Sequence, residues 1–186
     1  MLFKSSICIS GIKVRTLKIA QLFFIILICN VLLTSCFTIK YSTTGASISP
    51  DVKTASVVYF TSRATLAPAT ISQQFTEKFR EKVRSNTTLN LLNEGGDVNF
   101  EGEITGFSVA PVAIQSNDKA AKNRLTITIH VKYNNSIDPK FNFDENFSRY
   151  KDYESSKDLE QVSASLIPDI LDLISEDVFN KAFVNW

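Results

Sequence analysis

Apolar and polar positions change their spacing several times along this chain, and each change predicts an element. Leu125, Ile127, Ile129, Val131 and Tyr133 alternate with Thr126, Thr128, His130 and Lys132, the period of a strand with one dry and one wet face. Val98, Phe100, Gly102, Ile104 and Gly106 alternate likewise with Asn99, Glu101, Glu103 and Thr105, and the glycines there leave room for a large side chain or a bend. A polar loop, 115–123, separates these two runs, so they predict a long β-hairpin. After turn signals at Asn134-Asn135-Ser136 and Asp138-Pro139, the residues Phe141, Phe143, Phe147 and Tyr150 extend it by a third antiparallel strand. Thr54 to Phe60 is β-branched and aromatic without alternation, which predicts a strand buried on both faces and hence central. Leu89 to Leu92 reads as a short strand before the turn Glu94-Gly95-Gly96-Asp97.

Two segments keep helical spacing instead. Beyond Pro68, Ile71, Phe75, Phe79 and Val83 recur every four positions, predicting an amphipathic helix that ends near Ser85 with Thr70 as its N-cap. Its basic residues, Lys78, Arg80, Lys82 and Arg84, lie toward the carboxyl end, where the helix dipole favours them. From Leu159 the apolar positions Val162, Leu166, Ile170, Ile174, Val178 and Phe183 carry a second helix to Trp186, and Pro168 is expected to kink or restart it. Phe179, Phe183 and Trp186 are read as core; the alternative is an exposed interaction patch. The order β-α-β-β-β-α predicts an α+β fold, a two-layer sandwich with a roughly four-stranded mixed sheet and both helices on one face.

The first 35 residues belong to neither pattern. Lys13, Arg15 and Lys18 precede an apolar run from Ile19 to Leu33, and the small residues Thr34 and Ser35 lead into Cys36. That is the order of an export signal, and the run is short for the roughly 20 residues of a membrane-spanning helix. The expected organisation is a signal peptide at 1–35, a Ser/Thr-rich tether at 36–50 and one domain at 51–186. Leu33-Thr34-Ser35-Cys36 resembles the bacterial lipobox, which implies a thioether-linked diacylglycerol on Cys36 and an acylated new N-terminus. An ordinary secretory signal with a cysteine near its cleavage site is the alternative. Phe37 after the cysteine is not the Asp associated with inner-membrane retention, so the periplasmic side of the outer membrane is the expected location.

Charge and cysteine content follow from that division. The four basic residues before Cys36 stand among no acids, and 16 basic residues against 19 acidic ones remain in the mature chain, a net of −3. Such a domain is a poor general nucleic-acid binder. Cys36 is the only cysteine it retains, so no internal disulfide can form and the apolar core must supply the stability.

Catalytic chemistry has little to work with here. The only histidine, His130, lies on the polar face of its strand, with no cysteine or second histidine to share a metal. The pairs Glu101/Glu103 and Asp169/Asp172 are spaced to share a face, as carboxylates on solvated faces routinely are. Gly95-Gly96 lacks the continuation of a phosphate-binding loop and reads as a turn. No catalytic residue, metal site or cofactor is expected.

Several segments together resemble the LptE-type lipopolysaccharide-assembly lipoproteins in the form found in Bacteroidetes. They are Gly45-Ala46-Ser47-Ile48, the Val-Val-Tyr-Phe strand, the stretch from Gly96 to Gly106, Asn123-Arg124-Leu125-Thr126-Ile127, Phe147-Ser148-Arg149-Tyr150 and Asp177 to Trp186. The resemblance implies a non-enzymatic plug inside the LptD outer-membrane β-barrel, which helps the barrel assemble and handles lipopolysaccharide during insertion. No catalytic residue comes with it. Contact with lipopolysaccharide phosphates would need cations, and Lys119, Lys122 and Arg124, in or next to the hairpin loop, are the candidates. Against this stands a solvated loop with Arg124 ion-paired. The rival function is a periplasmic lipoprotein that acts as adaptor or activator of a cell-envelope enzyme.

Overall fold

The computed structural model describes residues 48–112 and 121–184. Six strands and two long helices appear in chain order: β1 Thr54–Val57, β2 Thr61–Ser62, α1 Ile71–Asn86, β3 Asn90–Leu92, β4 Val98–Val112, β5 Lys122–Asn135, β6 Phe143–Glu154 and α2 Leu159–Phe183. A single 3-10 turn, Pro139–Phe141, separates β5 from β6. The sheet runs β3-β1-β4-β5-β6, with β2 alongside β4. β1 pairs parallel with both β3 and β4, while β4, β5 and β6 form an antiparallel meander. Both helices pack on each other and on one face, giving the expected two-layer α+β architecture.

The strand count is the first correction: six, not four. β3, three residues long, is the short strand expected at Leu89 to Leu92, while β2, with two residues, is too short for any periodicity to appear and exists because β4 offers it a hydrogen-bonding edge. β1 is interior as expected, and Ala55, Ser56 and Val57 are all fully buried, on both faces. The alternation in β5 is fully realised: Leu125, Ile127, Ile129, Val131 and Tyr133 are buried.

β4 keeps the expected phase only as far as Ile104. A bulge between Ile104 and Gly106 inserts Thr105 as an unpaired residue, which advances the phase by one. Phe107, not Gly106, then joins Val98, Phe100 and Ile104 in the core. Gly102 does make the expected room. A Cβ there would collide with the His130 carbonyl oxygen and lie 2.8 Å from the Phe60 ring, so the buried phenyl occupies the space that a side chain would need.

α1 follows its four-residue repeat, with Ile71, Phe75, Phe79 and Val83 fully buried. Thr70 stands at the N-cap, but its backbone is already helical and its side chain makes no cap bond; its hydroxyl accepts from the Gln74 side chain instead. α2 runs unbroken through Pro168. The carbonyl that loses its partner belongs to Ala164, an exposed residue, so water can replace the missing N–H and no restart is required. Phe179 and Phe183 are core residues at 3% and 2% exposure.

On β6 the inward positions are not all apolar. Phe143 and Tyr153 are buried, but Glu145, Arg149 and Lys151 lie between them and pair with Lys181, Asp177 and Asp169 of α2. The Arg149–Asp177 pair is bidentate, at 2.5 and 2.6 Å. Charged edge positions that a strand pattern would assign to solvent thus fasten the last helix to the sheet.

Asp97 ties the start of β1 to the β3–β4 turn. Its carboxylate accepts the backbone N–H of Lys53 and of Thr54, each at 2.9 Å, and its own N–H donates to the Thr54 hydroxyl. The Lys53 N–H, then the Thr54 hydroxyl and N–H, hold this carboxyl below its ordinary value of 3.8. A depressed carboxylate contributes stability that is present above the unfolded-state pKa and lost as pH falls through the lower folded value. Asp97→Asn should therefore be less stable than the parent near pH 7, with the gap closing once pH falls below about 4. Urea midpoints measured across that range would check this.

Candidate functional site

The helices cover one face of the sheet, and the other is open. Alternation brings Glu101 and Glu103 of β4, Arg124, Thr126, Thr128, His130 and Lys132 of β5, and the even-numbered residues Asp144 to Asp152 of β6 onto this open face. Neighbouring strands then place opposite charges side by side. Lys132 meets Glu101 at 2.9 Å, Arg63 meets Glu103 at 2.7 Å, and His130 Nε2 lies 2.7 Å from Asp144. Thr128 and Ser148 share a hydrogen bond of 3.0 Å at the middle of the face. The hydrogen bond to Glu101 raises the pKa of Lys132, so its charge persists throughout the neutral range. Individually such exposed pairs are weak, because solvent screens them. Their collective effect is a broad polar surface on which the signs alternate.

At the far end of this face Arg124 makes the most elaborate contact. Its guanidinium donates to both carboxylate oxygens of Asp152, at 2.7 and 3.0 Å, and lies 3.6 Å over the Tyr150 ring. The hydrogen bond between the partners raises Arg124 and lowers Asp152. The ion-paired alternative for Arg124 is what the structure contains. Lys122 faces Glu154 in the strand register and is exposed. Both residues stand within β5 and not in the loop, because the strand begins three residues before the apolar alternation does. Cys36, Lys119, Trp186 and the 1–35 segment lie outside the described residues.

The residues weighed for catalysis are dispersed. His130 has Asn146 3.3 Å from its Nδ1 and Asp144 at its Nε2, which makes it one member of the polar ladder. Asp169 and Asp172 do not act together: one binds Lys151 of β6, the other Lys78 of α1. Gly95, with φ +72°, forms the turn. Among the described residues no cluster of three or more His, Cys, Asp or Glu side chains is arranged to hold a metal.

Sequence reading missed two features of this region. Among the described residues nothing pairs with the outer edge of β4 past Thr105, and only the bulge reveals its phase. The ion pairs between β6 and α2 had a signal in the chain, since Glu145, Arg149 and Lys151 share the phase of Phe143 and Phe147, but their partners on α2 lie 18 to 36 residues away.

The chain matches the family model described as LptE, lipopolysaccharide-assembly, over residues 52–182. No curated protein sequence matches it. Among solved structures it is similar to a minor lipoprotein of Acinetobacter baumannii, at 12% identity and a TM-score of 0.46, covering 70% of this chain and 91% of that one. A hypothetical protein of Chlamydia trachomatis aligns at 10% identity and a TM-score of 0.48, over 72% of this chain and 99% of the other. The rare lipoprotein B of Shewanella oneidensis aligns at 9% identity and a TM-score of 0.42, over 67% and 89%.

Proposed function

The chain belongs to the LptE lipopolysaccharide-assembly family, and from that premise we propose that it is a non-enzymatic outer-membrane lipoprotein that partners and plugs an LptD-type β-barrel. The observation that carries this reading is the extent of the family match, which runs from the residues before β1 to the last turn of α2. It takes in the whole α+β domain rather than one motif.

Physical features before the match and within it support that role. Cleavage before Cys36 and lipidation there would provide a lasting tether, because two or more acyl chains hold where one anchors only marginally. The 36–50 segment would then link membrane and domain. Porin-type lumens present polar walls, and the open sheet face, with its alternating and mutually satisfied charges, is a surface that can meet such a wall without stranding a bare charge.

Lipopolysaccharide contact is assigned to the basic residues near the hairpin end, Lys119, Lys122 and Arg124. Arg124 enters this role already held by Asp152, so it orients the site, and Lys119 and Lys122 are the cations offered to phosphate groups. Replacing all three with Glu is expected to weaken lipopolysaccharide capture about tenfold or more, because attraction to phosphate gives way to repulsion. A pull-down with the purified glycolipid, beside circular dichroism for folding, measures this. Undiminished capture by a folded variant would remove these residues from the proposal.

A further inference from the structure

An open sheet offers its edge strands' unpaired N–H and C=O groups to any chain that can align with them, and natural proteins blunt such edges by shortness or charge. Two of the free edges here are blunted. β3 is three residues long, and β6 carries Asp144, Glu145, Arg149, Lys151, Asp152 and Glu154. The third is different. β1 and β2 accompany β4 only as far as Ile104, whose carbonyl accepts the Arg63 N–H. Past that point no described backbone group pairs with β4 on the side away from β5. The exposed stretch, Gly106 to Val112, has no charged residue, and Val109 within it is 41% exposed.

The strand phase determines which groups this edge presents. Ile104 directs its carbonyl away from β5, and the bulge advances that phase by one, so Phe107, Val109 and Pro111 direct their backbone groups outward. Pro111 therefore removes a donor from the outward side and none from the β4–β5 ladder. Two N–H groups and three carbonyls remain for a partner.

Size and charge select the occupant. Seven residues span about 24 Å, and pairing along them buries on the order of a few hundred Å², well below the roughly 1,200 Å² of a stable dimer interface. A second copy of this chain is thus a weak candidate, and the better one is a segment of a partner whose main contacts lie elsewhere. An uncharged segment is the match for this edge, because Gly106–Val112 carries no charge with which a charged segment could pair.

We propose that Gly106–Val112 is a strand-addition site for an extended, uncharged segment of the barrel partner. This rests on the barrel reading above. Since a closed barrel has no free edge, the segment is a lumenal loop or soluble stretch and not a strand of the wall.

The test uses full-length lipidated protein recovered from its native membranes. Val109→Lys adds a charge to the edge, Val109→Pro removes an outward N–H, and Leu173→Lys, at an exposed position of α2, is the control for added charge. Barrel recovery about tenfold lower for both Val109 variants, with Leu173→Lys equal to the parent and all three folded, supports the site. Equal recovery for all three overturns it while leaving the barrel partnership intact. Recovery of no barrel by the parent overturns both. If the Val109 variants fold poorly, a photo-crosslinking residue at 109 decides. A crosslink to one extended, uncharged segment of the barrel supports the site, and its absence in a complex that still forms overturns it.

Discussion

Truncation after Asp177 is expected to abolish the folded domain. The deleted residues include Val178, Phe179, Ala182 and Phe183, all buried, and Lys181, which pairs with Glu145 of β6. Full burial of a Val or Phe side chain contributes roughly 1.5–3 kcal/mol, so the loss rivals the 5–15 kcal/mol by which a domain of this size is ordinarily stable. The cut also removes the half of the Phe100–Phe183 contact contributed by α2, exposing the centre of the sheet to water. Loss of the cooperative unfolding transition in circular dichroism, or failure to accumulate in the cell, is the expected readout. A truncated chain that still melted cooperatively would place the core elsewhere.

Phe100→Ala is expected to have the largest effect of any single core substitution. This ring is fully buried at the junction of all the main elements. Its centroid lies 4.9 Å from Phe79 of α1, 4.7 Å from Tyr133 of β5 and 5.7 Å from Phe183 of α2, in edge-on or tilted arrangements. Removing a buried phenyl costs about 3–5 kcal/mol through lost transfer energy and the cavity left behind. Here the loss of three aromatic pairs, each about 0.5–1.5 kcal/mol, favours the upper end. A urea titration of the mature chain in detergent should show the midpoint lowered with little change in slope. A shift below about 1 kcal/mol would mean that the neighbouring rings close over the gap.

Where the sequence foretold the fold, one side of an element is dry and the other wet over a long enough run. The alternation of β5 and the four-residue repeat of α1 satisfy that condition, and both elements stand where the pattern puts them. Where it did not, the deciding interaction is non-local. Nothing in Thr61–Ser62 marks a strand until a neighbouring edge is present to pair with it, whereas the short strand expected at Leu89 to Leu92 does form, as β3. The bulge at Thr105 converts an apparently regular alternation into two phases, moving Phe107 inward and Gly106 out, and no periodicity analysis separates that from a continuous strand. Pro168 is the opposite case, since the restart it signalled does not occur. A strong local signal for interruption is overridden because the affected turn faces solvent and the apolar positions on both sides pack against the same sheet.

The candidate site was legible in the same uneven way. Arg124 was identifiable as a cation near the end of the hairpin, with ion pairing its alternative, but the partner Asp152 lies 28 residues away and becomes adjacent only through the β5–β6 register. The unguarded edge of β4 could not be read at all, because an edge is defined by what fails to pair with it. The contrast with β6 is informative: six charged residues protect one edge, and none protects the other.

The central claim is the partnership with an outer-membrane barrel. Its most direct test is affinity purification of the full-length protein from its native membrane, with mass spectrometry of the bait and of whatever accompanies it. A large β-barrel of the LptD type in stoichiometric amount and a triacylated peptide beginning at Cys36 are the expected result. A soluble cell-envelope enzyme in place of any barrel would contradict it and favour an adaptor role instead.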